Sequence, residues 1–94
     1  MGSPWLILVD DETALAELLK KYLERLGYQV AACTHPEAAL ELLDAEPRRY
    51  ALLVTDLTLP VMDGEELIRR SRERVPGLRA IIVSGYPHEP RADG

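Results

Sequence analysis

Four short apolar runs alternate with three longer amphipathic segments along this chain of 94 residues. Apolar runs of this length, bounded by charged residues or turn signals, are typical of buried parallel strands. Successive parallel strands need a crossover between them, and a helix supplies a right-handed one. The pattern therefore predicts a parallel α/β sheet with strands at residues 5–9, 28–33, 50–55 and 78–83.

Three helices are predicted between these strands. The first covers Glu12 to Leu26, and we expect its regularly spaced apolar residues to form one buried stripe. That stripe consists of Leu15, Leu18, Leu19, Tyr22, Leu23 and Leu26. The second helix is expected to begin at Thr34 as its N-cap, with Pro36 in its first turn, and to end at Pro47. The third is expected over residues 65–74, with Leu67, Ile68 and Ser71 facing inward.

Composition and charge narrow the class of protein. A chain of this length fits one domain, and 47% of its residues are hydrophobic. The net charge of −5 argues against a nucleic-acid-binding face and against binding to anionic membranes. No run is long enough to span a membrane and no signal-like N-terminus is present, so a cytoplasmic protein is expected. The single cysteine, Cys33, is predicted to be buried and unreactive.

Three aspartates stand at the ends of predicted strands. Asp10 and Asp11 follow the first strand and Asp56 ends the third. Ligands of open parallel sheets bind at the carboxyl ends of the strands, so these side chains are predicted to converge there. Converging carboxylates need a cation or protons, and oxygen-only ligands favour Mg²⁺ over zinc. Taken alone, Asp10 and Asp11 would equally fit a pair of acids favoured by a helix N-terminus.

Four motifs together resemble the receiver domain of two-component response regulators: Leu8–Glu12, Val54–Asp56, Leu59–Gly64 and Ile82–Tyr86. The resemblance covers the chain as far as Tyr86. It implies a flavodoxin-like open parallel sheet with strand order 2-1-3-4, over residues 4–86. Residues 87–94 contain two prolines and show no periodicity, so they are predicted to form a disordered or extended C-terminal tail. The Ser-Gly-Tyr sequence of the last motif is similar to receivers attached to hybrid sensor kinases.

The resemblance also implies a function. Asp56 would accept a phosphoryl group from a histidine kinase or a phosphotransfer protein, in a reaction that depends on Mg²⁺. Asp11, Asp56 and the backbone carbonyl of Thr58 would hold the ion, with Asp10 acting through water. Ser84 would be the switch hydroxyl that moves to the phosphoryl group. The loop residues Pro60, Asp63 and Gly64 would have a structural role. Such a domain is not a turnover enzyme and at most catalyses its own phosphorylation and dephosphorylation.

The chain also departs from the family pattern. The family's last helix-strand-helix has no counterpart, and neither does the lysine at the end of its fifth strand, since Lys20 and Lys21 lie in the first predicted helix. Tyr86 lies on the wrong element to replace the aromatic switch residue of that strand. These departures favour, as an alternative, a pseudo-receiver or docking module that acts by association. The open edge at Ala80–Val83 is predicted to pair with a second copy or another protein.

A hydrolase is the third class of function considered. Haloacid-dehalogenase-like phosphatases also use a strand-end aspartate as nucleophile, and that aspartate is the first residue of an Asp-x-Asp motif. Here the sequence is Asp56-Leu57-Thr58, so the second acid is missing. The sequence therefore disfavours steady hydrolysis of phosphomonoesters.

Overall fold

The computed structural model describes residues 5–83, which form one four-stranded sheet with three helices. The elements are β1 Trp5–Val9, α1 Thr13–Arg25, β2 Gln29–Cys33, α2 Pro36–Ala45, β3 Tyr50–Asp56, α3 Gly64–Arg74 and β4 Arg79–Val83. All neighbouring strands are parallel and their order is β2-β1-β3-β4. The predicted fold class and strand order are therefore confirmed. None of these three helices combines the length and hydropathy that crossing a membrane requires.

The core lies on both faces of the sheet, and β1 contributes to both. Residues Leu6 to Val9 are completely buried. Ile7 and Val9 join the cluster under α2 and α3, whereas Leu6 and Leu8 join the cluster under α1. Strand side chains alternate between the two faces, so a central strand that is covered on both must be apolar throughout. Burial of each such aliphatic side chain contributes about 1.5–3 kcal/mol to folding.

Helix α1 differs from the prediction that its apolar residues form one buried stripe. Leu19 and Leu23 pack on the sheet, but Leu18, Tyr22 and Leu26 are 64%, 59% and 58% exposed. The six apolar residues span a wider arc of the helix surface than can contact a flat sheet. Within residues 5–83, no other element packs against the remaining part of that arc.

The start of α2 also differs from the prediction. The N-cap is His35 rather than Thr34, and its side chain makes no capping hydrogen bond. Pro36 follows as the first helical residue, where its fixed φ suits the helix and its missing N–H costs nothing. The helix ends at Ala45, two residues before Pro47. Helix α1 is one residue shorter at each end than predicted.

Cys33 ends β2 and is 8% exposed. Loss of hydration raises the pKa of its thiol to about 11, so the thiol stays protonated at neutral pH. Because the thiolate is the reactive form, Cys33 acts as a small apolar core residue.

Several predicted features lie outside the described residues. These are Ser84 with its role as switch hydroxyl, Tyr86, the end of the predicted domain and the C-terminal tail at residues 87–94.

Candidate functional site

The structure brings together the three strand-end aspartates. Asp10 and Asp11 follow β1, Asp56 ends β3, and these two strands are direct neighbours in the sheet. One carboxylate oxygen from each residue lies within 4.8 Å of the others. Three negative charges at this separation repel one another unless a cation or protons balance them. The cluster is therefore a candidate site for a hard divalent cation.

Asp10 is the buried member of the cluster, with 1% of its surface exposed. Its Oδ1 accepts a hydrogen bond from the backbone N–H of Glu12 at 2.9 Å, whereas its buried Oδ2 has no partner. Burial raises the pKa of Asp10, the Glu12 hydrogen bond opposes the rise, and the charges of Asp56 and Asp11 add to it. A buried oxygen without a partner is unusual in a folded protein. Its surroundings favour a bound proton or cation at this position.

Asp56 is half-buried and its orientation is fixed at two atoms. Its Oδ1 accepts a hydrogen bond from the backbone N–H of Leu57 at 2.9 Å. Its backbone carbonyl accepts a hydrogen bond from the hydroxyl of the fully buried Thr55, also at 2.9 Å. The second carboxylate oxygen is left for an external ligand or for nucleophilic attack.

A small open cavity adjoins the exposed side of the cluster. Its volume is about 250 Å³ and its lining residues are Asp11, Glu12, Asp56 and Thr58. Thr58 thus lies beside Asp11 and Asp56 in the cavity wall. The family resemblance predicts that its backbone carbonyl binds the metal ion together with these two aspartates. Glu12 is a site residue that was not predicted, although it continues the acidic run that begins at Asp10. Its N–H orients Asp10 and its side chain adds negative charge to the cavity wall.

Gly64 allows the loop after β3 to fold back tightly onto the site. Its N–H donates to the carbonyl of Leu57 at 2.7 Å. A Cβ added at Gly64 would lie 2.5 Å from the backbone oxygen of Asp56, closer than real Cβ atoms approach. Asp63, the preceding residue, is the N-cap of α3 and accepts the N–H of Glu66 at 2.8 Å. Both residues thus shape the loop, and neither belongs to the carboxylate cluster.

The same loop contains a strained turn. The N–H of Met62 donates to the carbonyl of Pro60 at 2.8 Å, and Val61 between them has φ 78°. A γ-turn with this sign of φ is rare, and a β-branched residue is poorly suited to it. Val61 is 82% exposed whereas Met62 is buried, so packing of Met62 holds the turn in place. The sequence showed a turn here but not its type.

The lysines of the described residues lie elsewhere. Lys20 and Lys21 are on α1 and line a separate cavity with Glu17, Glu24 and Ala32 of β2. Within residues 5–83, no cationic side chain lines the cavity beside Asp56.

Comparison with known proteins identifies the family. The family model described as "Response regulator receiver domain" matches residues 6–93, and the chain belongs to this family. The chain is 37% identical over 81 residues to the "Response regulator receiver protein CpdR" of Brucella abortus, covering 86% of this chain and 66% of that protein. It is 33% identical to the "Sensor kinase CckA" of the same organism, covering 94% of this chain and 9% of that protein.

Solved structures show the same relationship. The CheY-like receiver domain protein of Methanospirillum hungatei matches with a TM-score of 0.81 and 31% identity, over 93% of this chain and 68% of that one. The chain thus spans just under two thirds of the length of CpdR and a small part of CckA. The functions of full-length CpdR and CckA are properties of those two proteins.

Proposed function

We propose that this chain is a phosphoacceptor receiver in which the carboxylate of Asp56 accepts a phosphoryl group from a phosphohistidine. The observation that carries the proposal is the convergence of three carboxylate oxygens within 4.8 Å at the ends of β1 and β3. Membership of the receiver family supports it. The domain is a signalling module, and its own chemistry is limited to gaining and losing that phosphoryl group.

The donor set fits Mg²⁺. Asp11, Asp56 and the backbone carbonyl of Thr58 would hold the ion, with Asp10 acting through water. Bound there, the ion would neutralise charge on the phosphoryl oxygens. The partnerless Oδ2 of Asp10 supports this assignment, because a buried acceptor favours a water or cation beside it.

The residues of the chain perform the transfer by position. The Leu57 N–H holds one oxygen of Asp56, which leaves the other free to attack phosphorus. The new bond joins that oxygen to phosphorus, and the bond that breaks joins phosphorus to the donor imidazole. The imidazole takes the bonding electron pair and leaves neutral, because its other nitrogen carries a proton. A weak carboxylate nucleophile requires such in-line placement and charge neutralisation.

The experiment is incubation with a small phosphodonor such as acetyl phosphate, with and without Mg²⁺, followed by intact-mass measurement. We expect one phosphoryl adduct that requires Mg²⁺ and is lost in Asp56→Asn. The matched control is Asp63→Asn, because asparagine still caps α3 and Asp63 lies outside the cluster. An adduct that survives in Asp56→Asn would contradict the assignment.

A second candidate is a pseudo-receiver that signals by association without efficient phosphorylation. The observation in its favour is that no cationic side chain of residues 5–83 lines the cavity beside Asp56. Absence of any adduct, under conditions that modify a known receiver in parallel, would select this function.

The proposed partners follow from the function. A histidine kinase or phosphotransfer protein in the cytoplasm would donate the phosphoryl group. A second copy of the chain would pair along β4, which is an outer strand of the sheet with Ile81 49% and Ile82 38% exposed. Exposed edges with apolar side chains are templates for pairing.

A further inference from the structure

The fold uses the backbone of Glu12 and leaves its carboxylate free. Glu12 is the N-cap of α1, and its carbonyl accepts the N–H of Ala16 at 2.9 Å. Its own N–H donates to Oδ1 of Asp10, also at 2.9 Å. Its side chain makes no capping hydrogen bond and forms no ion pair with an arginine or lysine of residues 5–83. No contact with a described cation therefore offsets the charge of this exposed carboxylate.

This free carboxylate belongs to the wall of the cavity beside the phosphoacceptor. Three of the four lining residues are acidic, namely Asp11, Glu12 and Asp56, and the fourth is Thr58. The oxygens that converge within 4.8 Å come from Asp10, Asp11 and Asp56, so Glu12 lies outside the carboxylate cluster itself. Its position suits a residue that acts on what enters the cavity.

A ligand is expected beside this wall for a reason that does not involve Glu12. The Oδ2 of Asp10 is buried and has no partner, and a buried acceptor requires a proton, a water or a cation. A cation held by the cluster and a phosphodonor that reaches Asp56 would both lie near Glu12, and they carry opposite charges. Glu12 would therefore affect their binding in opposite directions.

The size of the effect depends on the charge of each ligand. At a separation of about 6 Å in water, one unit charge changes the interaction with another about threefold. Acyl phosphates carry roughly two negative charges at neutral pH. In an N-phosphorylated imidazole or amine, a protonated nitrogen offsets one of these charges. Glu12 would thus repel an acyl phosphate more strongly than an N-phosphorylated donor.

We infer that Glu12 selects ligands of this cavity by charge: it strengthens binding of a divalent cation to the carboxylate cluster and favours N-phosphorylated donors over acyl phosphates. The donor half of the inference rests on the proposed function, whereas the cation half does not. In this role Glu12 is a specificity-determining residue, since it contributes none of the converging oxygens.

The first test compares two small donors. Adduct formation is followed by intact mass with acetyl phosphate, mainly a dianion at pH 7, and with phosphoramidate, mainly a monoanion. Mg²⁺ is kept at saturation for each protein, so that differences in ion occupancy do not enter. We expect the rate ratio of phosphoramidate to acetyl phosphate to fall about threefold in Glu12→Gln and about tenfold in Glu12→Lys. An unchanged ratio in both variants would overturn the inference.

The second test needs no phosphoryl transfer. Calorimetric titration with Mg²⁺ at low ionic strength is expected to show at least about threefold weaker binding in Glu12→Gln, with a smaller difference in about 0.5 M NaCl. Equal Mg²⁺ affinities of wild type and Glu12→Gln, or no binding by wild type, would overturn the inference. If wild type accepts no phosphoryl group from either donor, the proposed function fails and the Mg²⁺ titration alone decides the inference.

Matched variants separate this position from general charge effects. Glu17→Gln removes the same charge from α1, but Glu17 lines the separate cavity that contains Lys20 and Lys21. It should change neither the donor ratio nor the Mg²⁺ affinity, and effects equal to those of Glu12→Gln would contradict the inference. Glu12→Asp retains the charge and should stay within about twofold of wild type. Because the side chain of Glu12 does not cap α1, the urea midpoint of Glu12→Gln should equal that of wild type.

Discussion

The fold holds Asp10 in an environment that opposes its negative charge. Its side chain is buried and one oxygen has no hydrogen-bond partner, and burial raises its pKa above the ordinary value of 3.8. The folded state therefore binds this proton more tightly than the unfolded state does. In the absence of metal, stability is expected to fall as pH rises through the raised pKa.

Replacement of Asp10 by asparagine tests this effect of the buried charge. We expect Asp10→Asn to increase the free energy of unfolding at pH 7 without metal by about 1–2 kcal/mol, because it removes the charge and retains an acceptor for Glu12. Stabilisation by Mg²⁺ should decrease in the same variant. Urea unfolding followed by Trp5 fluorescence, at pH 4 and pH 7, measures both effects. The exposed Glu24→Gln is the control, and an Asp10→Asn protein less stable than wild type at pH 7 would contradict the argument.

Gly64 and Gly27 are required for different physical reasons. A Cβ at Gly64 collides with the backbone oxygen of Asp56, whereas Gly27 has open space around it but a φ of 103°. Gly64→Ala is expected to cost about 1–3 kcal/mol through overpacking and to weaken Mg²⁺ binding. Gly27→Ala is expected to cost about 1 kcal/mol of backbone strain and leave Mg²⁺ binding unchanged. Denaturant unfolding and Mg²⁺ titration of both variants measure these effects. Equal Mg²⁺ affinities of Gly64→Ala and Gly27→Ala would contradict the argument that a Cβ at Gly64 displaces Asp56.

Helix caps show where local sequence patterns predict structure and where packing overrides them. Asp63 caps α3 with a hydrogen bond to the Glu66 N–H, whereas α2 begins at His35 without a side-chain cap. Asp63→Ala is therefore expected to lower the free energy of unfolding by about 1 kcal/mol. Thr34→Ala, at the N-cap predicted from sequence, should change it by less than about 0.5 kcal/mol. Denaturant unfolding of the two variants measures both changes. A larger loss of unfolding free energy in Thr34→Ala than in Asp63→Ala would contradict the assignment of His35 as the N-cap of α2.

At the scale of helices and strands, the sequence predicted most of the structure. Apolar runs and intervening helical periodicity located all seven elements within a few residues, because strand and helix periods differ clearly. The grouping of Asp10 with Asp56 followed from the rule that the carboxyl ends of parallel strands share one sheet edge. The γ-turn at Val61 could not be predicted, because a valine rarely adopts positive φ and the burial of the adjacent Met62 depends on tertiary packing. The exposure of Tyr22 likewise depends on what lies beside α1, which a single helical pattern does not specify.

For the molecule as a whole, we propose that β4, an outer strand of the sheet formed by the described residues, determines how the chain associates. Its side chains Ile81 and Ile82 are exposed on opposite faces at the sheet edge. We expect reversible dimerisation in sedimentation experiments, reduced in Ile82→Lys because a charge on an edge strand opposes pairing. Lys21→Ala, far from that edge, is the control. A monomer at all concentrations in the wild type would exclude the proposed homodimer.

The inner position of β1 and β3 determines which opening motions can dismantle the acidic pocket. Both strands have a hydrogen-bonded neighbour on each side, and residues 6–9 and Leu53 are completely buried. Amide hydrogens in such strands exchange with solvent only when the whole domain unfolds, whereas peripheral elements exchange through smaller openings. The carboxylates at the ends of these two strands are thus attached to the part of the backbone that we expect to exchange most slowly. We therefore expect fraying of β2 or β4 to leave their spacing intact, and global unfolding to be the opening that takes the pocket apart.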